Sequence, residues 1–243
     1  MTPLANDKRL PYCNGGREIC QRHLLMQAVT PDTAEQPLIL YRDAFLLAVE
    51  KPSGLLSVPG RGADKQDCLL SRVRREYPSA LVVHRLDMGT SGIMLFALDS
   101  DTQRDLGFLF ETRRVTKQYV ACVRGVPDPA EGEIDLPLAA DWPRRPRQRV
   151  DFAAGKAAHT RYRVVESTDD GRFSRVQLSP ATGRSHQLRV HLAESGHPVL
   201  GDELYADKDT QRVSSRLMLH AERLCFEHPA CLGQLGLHSP APF

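Results

Sequence analysis

The run His84-Arg85-Leu86-Asp87, closed by Thr90-Ser91-Gly92, sets one carboxylate between a cation and a tight polar turn. An ionised oxygen held in that way can act as a nucleophile or a base, and Asp87 is the candidate for the role. Leu81-Val82-Val83 before it and Ile93 to Leu98 after it are apolar runs, so residues 84–92 read as a loop joining two strands. Loops carried by a sheet commonly display catalytic groups. Taken alone, the stretch reads better as a solvated Arg-Asp pair in a turn. Three further segments shift that balance.

Lys51-Pro52-Ser53-Gly54 follows the apolar run Phe45 to Val49; proline fixes one dihedral and glycine permits the reverse bend, which by itself makes a plain turn. Lys117 to Val123 alternates, which predicts a strand with Tyr119, Ala121 and Val123 on one face. Tyr119 is then either a half-buried core ring or a surface on which a nucleobase stacks, worth about 1–3 kcal/mol per base. In Thr182 to His191 a turn feeds a short helix that Gly196 and Pro198 terminate. Leu188 and Leu192, four apart, face the core and leave Arg189 at the edge of the buried stripe. An arginine there needs an anion, and Glu194 is the default neighbour.

Taken in order, Lys-Pro-x-Gly at 51–54, His-Arg-Leu-Asp-x-x-Thr-Ser-Gly at 84–92, Lys-x-Tyr-x-Ala at 117–121 and Gly-Arg-x-His-Gln-Leu-Arg-x-His at 183–191 resemble the RluA-type pseudouridine synthases. The resemblance covers about residues 37–243, and the set of four is specific although each part alone is weak. Leu55 to Arg61 and Asp141-Trp142-Pro143 also look like the branch of that family that modifies both ribosomal and transfer RNA.

The resemblance implies a pseudouridine synthase catalytic domain of α+β class, with a curved, mixed, mainly antiparallel sheet, flanking helices and a central cleft with Asp87 at its floor. It implies that uracil is detached from C1′ of a ribose within RNA, turned, and rejoined through C5. That chemistry needs no cofactor, and no metal site is implied. Asp87 would be the essential carboxylate, attacking C1′, attacking C6, or assisting loss of a C2′ proton, and the sequence leaves the three open. Arg189 would hold it through a buried ion pair. Tyr119 would lie against the base and help remove the C5 proton. Arg85 would fill the gap left when the uridine is flipped from its stack, a step that costs a few kcal/mol. Leu188 is an apolar wall against the uracil or ordinary core, and His84 and Arg184 join the substrate contacts.

Composition agrees with this picture without producing it. The net charge of +2 argues against gripping nucleic acid through bulk electrostatics, so distribution matters more than the sum. Trp142 to Arg149 holds four arginines and two prolines, and reads as an extended basic loop in which Arg144, Arg145 and Arg147 are candidate RNA contacts. Arg72, Arg74, Arg75, Arg113, Arg114 and Lys117 are weaker candidates for the same surface. Six cysteines without a Cys-x-x-Cys suggest neither zinc nor a disulfide framework, and His186 and His191, five apart, are out of register for a metal pair. No apolar run reaches transmembrane length and the polar N-terminus lacks a signal segment, so cytoplasm is the default; RNA stem-loops are the expected partners of a monomer.

Residues 1–36 are polar and aperiodic, which predicts a disordered extension too short for an accessory RNA-binding domain. Beyond it the patterns predict strands within 38–50 and at about 118–124, 159–166, 172–179 and 217–227. They also predict a helix bearing Leu69, Leu70, Val73 and Tyr77, and another that Ser100 and Gln103 cap and Leu106, Leu109 and Phe110 bury. Helices are outnumbered and the alternation is irregular, so α+β fits better than a doubly wound sheet. Two other functions compete. A non-catalytic RNA-binding protein has no need of a carboxylate beside anionic RNA. An Asp-nucleophile phosphatase would need a second acid two residues on, and Gly89 stands there.

Overall fold

The longest apolar runs become the middle of a sheet. In the computed structural model, which describes residues 36–243, Leu46–Lys51 (β2) and Ser91–Ala97 (β4) pair antiparallel and are buried on both faces. That burial is why they read as continuous apolar segments rather than alternating ones. β1 (Leu38–Arg42) lies along the outer side of β2, and β3 (Leu81–Val82) pairs with the far end of β4. The expectation for residues 1–36 falls, Gln36 aside, outside the described residues.

Alternate side chains of these strands feed two cores. Leu46, Ala48, Ile93 and Leu95 pack with Leu106 and Leu109 of α2 (Ser100–Glu111), while Leu47, Val49, Met94 and Phe96 pack with Leu69 and Val73 of α1 (Leu69–Arg74). α1 is shorter than its apolar pattern: Tyr77 lies past its end, its N–H turning back to the Val73 carbonyl. The cap of α2 is Asp99, not Ser100. The Asp99 carboxylate accepts from Thr102 N–H at 2.8 Å, and Gln103 instead donates to the Val82 carbonyl. An aspartate at the cap accepts as well as a serine, so the box pattern starting one residue later is incidental.

The remaining elements are β5 (Thr116–Arg124), β6 (Glu131–Asp135), the small hairpin of β7 (Leu138–Ala140) and β8 (Gln148–Val150), β9 (His159–Ser167) and β10 (Phe173–Pro180). Then come α3 (Gln187–Glu194), α4 (Lys208–Arg212), β11 (Leu219–Glu227) and β12 (Gln234–His238). The large sheet runs β1-β2-β4-β11-β5-β10-β9-β6, with β12 beside β11. Among the described strands only β4 and β11 pair parallel, so the sheet is mixed and mainly antiparallel, and the domain is α+β. No described helix is long and apolar enough to cross a membrane.

That parallel junction is where the Asp87 loop enters the sheet. Gly92 sits opposite Ala221 at φ 112°, and a Cβ there would stand 2.3 Å from the Ala221 carbonyl oxygen. Only glycine lets the two backbones approach so closely.

Candidate active site

The loop carrying Asp87 is clamped by the turn that follows β2. Lys51, fully buried, donates from Nζ to the carbonyls of Pro52 (2.8 Å), Leu55 (2.6 Å) and Met88 (2.9 Å). Ser53 Oγ donates to the Gly89 carbonyl at 2.7 Å and Gly54 N–H to the Met88 carbonyl at 2.8 Å. Ser57 Oγ donates to the Leu86 carbonyl at 2.7 Å and accepts from Leu86 N–H at 3.1 Å. The residues on both sides of Asp87 are therefore fixed, and the Lys-Pro-Ser-Gly stretch is more than the turn its sequence suggests. Burial pulls the proton affinity of Lys51 down to about 7, against the charge of Asp87 and with that of Arg216. Three carbonyls, each taking one hydrogen, hold it as the ammonium.

On the other side stands α3, with Arg189 buried to 7 % exposure. Its Nε and Nη2 each donate at 2.7 Å to one oxygen of Asp202, and Nη1 lies 3.4 Å from Asp87 Oδ2. The guanidinium thus bridges two carboxylates, with its strong bidentate face on Asp202. Burial opposes its charge, but Asp202 and then Asp87 outweigh that and raise its proton affinity. The expected pairing with Asp87 is present as the longer contact; the default partner Glu194 does not pair with Arg189, since Asp202 occupies the fork. Asp202 Oδ1 also accepts from Leu204 N–H (2.9 Å) and Tyr205 N–H (3.2 Å).

His186 brings its Nε2 to 4.0 Å from Asp87 Oδ1. The Tyr205 hydroxyl accepts from Gln148 N–H at 2.7 Å and has one hydrogen left for His186 Nδ1, also at 2.7 Å. That network assigns the other imidazole N–H to the side facing Asp87. Burial lowers the proton affinity of His186, while Asp87 works the other way. His191 is structural: fully buried, it bonds Thr160 Oγ1 and the Leu136 carbonyl at 3.0 Å each.

These groups border a cavity of about 690 Å³, and Asp87, Tyr119, Arg189, Arg85, Leu188, His84 and Arg184 all line it. Tyr119 stands on β5 opposite Ala221; burial first, and then the charge of Asp87, raise the proton affinity of its phenol. Leu188 serves the cavity wall and the core together. Arg85 is exposed. His84 stacks on Phe110 at 4.6 Å and accepts from Leu95 N–H at 3.0 Å; burial, with the Lys117 charge second, pushes it down to about 3. Arg184 Nε donates to the Ala157 carbonyl at 3.1 Å.

Arg144, Arg145 and Arg147 lie outside this wall, on the β7–β8 connection. Arg144 pairs with Asp141 at 2.7 Å, Arg145 stacks on Trp142 at 3.4 Å, and Arg147 lies over Tyr205 at 5.4 Å. Arg72 and Arg114 are spent on Asp67 and Glu227. Among the described residues no group of three His, Cys, Asp or Glu is arranged to hold a metal.

The family described as RNA pseudouridylate synthase matches residues 45–194, a span that includes Asp87, Tyr119 and Arg189. This chain belongs to that family. Among relatives of this synthase, the dual-specificity RNA pseudouridine synthase RluA of Escherichia coli K12 is 49 % identical over 218 residues, covering 90 % of this chain and 99 % of that protein. Its counterpart in Yersinia pestis is 50 % identical over 192 residues, covering 79 % and 93 %. The solved structure of human RNA pseudouridylate synthase domain containing 1 superimposes with a TM-score of 0.73 at 30 % identity, over 88 % of this chain and 87 % of that one.

Sequence reasoning gave no place at the candidate site to Lys51, Asp202 and Tyr205. A lysine ending an apolar strand was a usable signal for Lys51. Gly201, at φ 74° with a Cβ position 2.0 Å from the Arg216 carbonyl oxygen, was one for its neighbour Asp202.

Proposed function

We propose that this synthase isomerises specific uridines to pseudouridine in small structured RNA elements, namely a large-subunit ribosomal hairpin and the transfer RNA anticodon stem-loop. Asp87 is the essential carboxylate. The supporting observation is a single fixed acid in a cavity whose cations outnumber its acids: Arg85, Arg113, Lys117, Arg184 and Arg189 against Asp87 and Glu111. Such a wall attracts a polyanion that the net charge of the chain would not.

Whether Asp87 attacks C1′, attacks C6 or takes the C2′ proton, it must be ionised and held at near-attack distance. Arg189 and the clamp on the residues around Asp87 supply both conditions. The glycosidic bond to N1 breaks, the base turns, a bond forms from C1′ to C5, and the C5 proton leaves. Tyr119 presents its ring to the base. Its phenol stays protonated, so its part in removing the C5 proton is to relay it rather than to wait as a phenolate. Leu188 walls the uracil, Arg85 fills the vacated stack, and His84 and Arg184 complete the contacts. Arg144, Arg145 and Arg147 reach phosphates further out. The enzyme works as a cytoplasmic monomer without a cofactor.

The test is tritium release from RNA labelled at uridine C5, with both hairpins offered to wild type and Asp87→Asn. Release by wild type alone is expected. If wild type binds both hairpins tightly and releases none, the RNA-binding alternative replaces this reading.

A further inference from the structure

Beside Arg85, which faces the vacated stack, two further cations on the cavity wall have no partner among the described residues. Lys117 and Arg113 both line the cavity, and among the described residues no side-chain hydrogen bond or ion pair holds either one. Lys117 Nζ lies 3.9 Å from where a Cβ on Gly183 would stand, so it points to the turn that carries Arg184, and the absence of a side chain at 183 keeps that approach open. Burial, and the charge of Arg113, depress its proton affinity. Arg113 adopts φ 60° just past the end of α2, a position that glycine fills at least strain. A half-buried ammonium without a bonded anion, next to the exposed Arg113 charge, is less favourable than one that an anion meets.

We propose that Lys117 and Arg113 form a phosphodiester subsite that takes the backbone phosphate of a nucleotide next to the reacting uridine. This rests on the reading that the cavity receives RNA. The ligand class follows from the groups: two cations with free donors suit a phosphate oxygen, and Gly183 beside Lys117 leaves room for a backbone rather than a base.

The experiment is binding of the anticodon stem-loop and the ribosomal hairpin by fluorescence anisotropy, with each phosphate near the uridine replaced in turn by a neutral methylphosphonate. In wild type, replacing the phosphate that sits in the subsite should raise Kd about tenfold, and Lys117→Gln should remove the penalty at that position alone. The slope of log K against log salt should fall by about 0.7–0.9 in the same variant. Arg113→Gly should show a smaller coupling at the same phosphate, and Lys117→Arg should restore it. Thermal melting of Lys117→Gln should show no loss of stability, because an unpaired, half-buried charge has been removed.

Identical methylphosphonate penalties in wild type and in the folded variants would overturn the subsite, as would failure of wild type to bind either hairpin. A chain that releases no tritium yet shows the Lys117 coupling keeps the subsite and loses the isomerase reading. One that releases tritium without the coupling does the reverse.

Discussion

Two lysines border this site, Lys51 buried and Lys117 half-buried, and they are provided for in opposite ways. Lys51, beneath the Asp87 loop, gives all three of its hydrogens to main-chain carbonyls, whereas Lys117, on the cavity wall, gives none within the described protein. Desolvation penalises both charges. The difference separates a cation of the architecture from the one assigned above to a ligand: a buried charge fully bonded at home stiffens the fold, and a partly desolvated one left unbonded is a cost that binding offsets.

The largest effect that would sharpen this contrast is at Lys51. Lys51→Met takes the ammonium donor from the Pro52 and Leu55 carbonyls, leaves that of Met88 with Gly54 N–H alone and frees the Asp87 loop, and should cost on the order of 3–5 kcal/mol in urea unfolding together with nearly all tritium release. Lys117→Met should be neutral or slightly stabilising in the same melt. Equal losses in the two variants would erase the distinction.

Asp202→Asn comes next. It keeps the shape but weakens the charge that fixes Arg189, leaving that guanidinium free to swing fully onto Asp87. A fall of kcat by about 10²–10³ is expected, of the order seen when one preorganised partner at a reacting centre is lost. Unfolding stability should drop by about 2–4 kcal/mol. Were kcat unaltered, Asp202 would be a packing residue and the bridge would have no role in placing Asp87.

The contrast also explains what was legible in the sequence. Asp87, Tyr119 and Arg189 stand in motifs of local order, and the alternation of 117–123 puts Tyr119 on its face correctly. The α+β class follows from strands outnumbering helices. What stayed hidden depends on distance along the chain. Asp202 meets Arg189 across the turn after α3, so a search among helical neighbours finds Glu194 instead. The Lys51–Met88 bond spans 37 positions, and nothing local to Lys51 announces it. Short strands such as β6, β7, β8 and β12 are set by their partners in the sheet rather than by their own apolar pattern, which is how they escaped notice.

A third, smaller effect lies at His84, which feels the charge of Lys117. Its imidazole accepts from Leu95 N–H and has a folded value of about 3, below the ordinary 6.5. As pH falls through 6.5 the unfolded chain takes up a proton that the folded one refuses. Stability is therefore lost progressively between 6.5 and 3, by about 1.4 kcal/mol per pH unit. Urea melts at pH 7, 6 and 5 should show this loss in wild type and not in His84→Gln. In Lys117→Met the loss should begin to level off at a higher pH, because a positive neighbour is gone. Parallel profiles for wild type and His84→Gln would mean that the ring is not a buried acceptor.

The smallest effect concerns cations of a third kind, exposed and already engaged with their own segment. Arg145 lies flat on Trp142, itself 67 % exposed, outside the cavity wall. Arg145→Gln removes a phosphate-seeking charge and a cation–π contact worth about 0.5–1 kcal/mol at such a site. It should weaken RNA binding by about two- to fivefold, almost evenly across phosphates, since an exposed guanidinium on a surface loop samples several of them. That even spread is the distinguishing sign. Lys117, half-buried on the cavity wall, should couple to one phosphate, while Arg145 should couple weakly to many. If Arg145→Gln instead weakened binding more than Lys117→Gln and at a single phosphate, the β7–β8 arm would be the principal clamp on the RNA backbone. The unpaired lysine would then be a cost without a purpose.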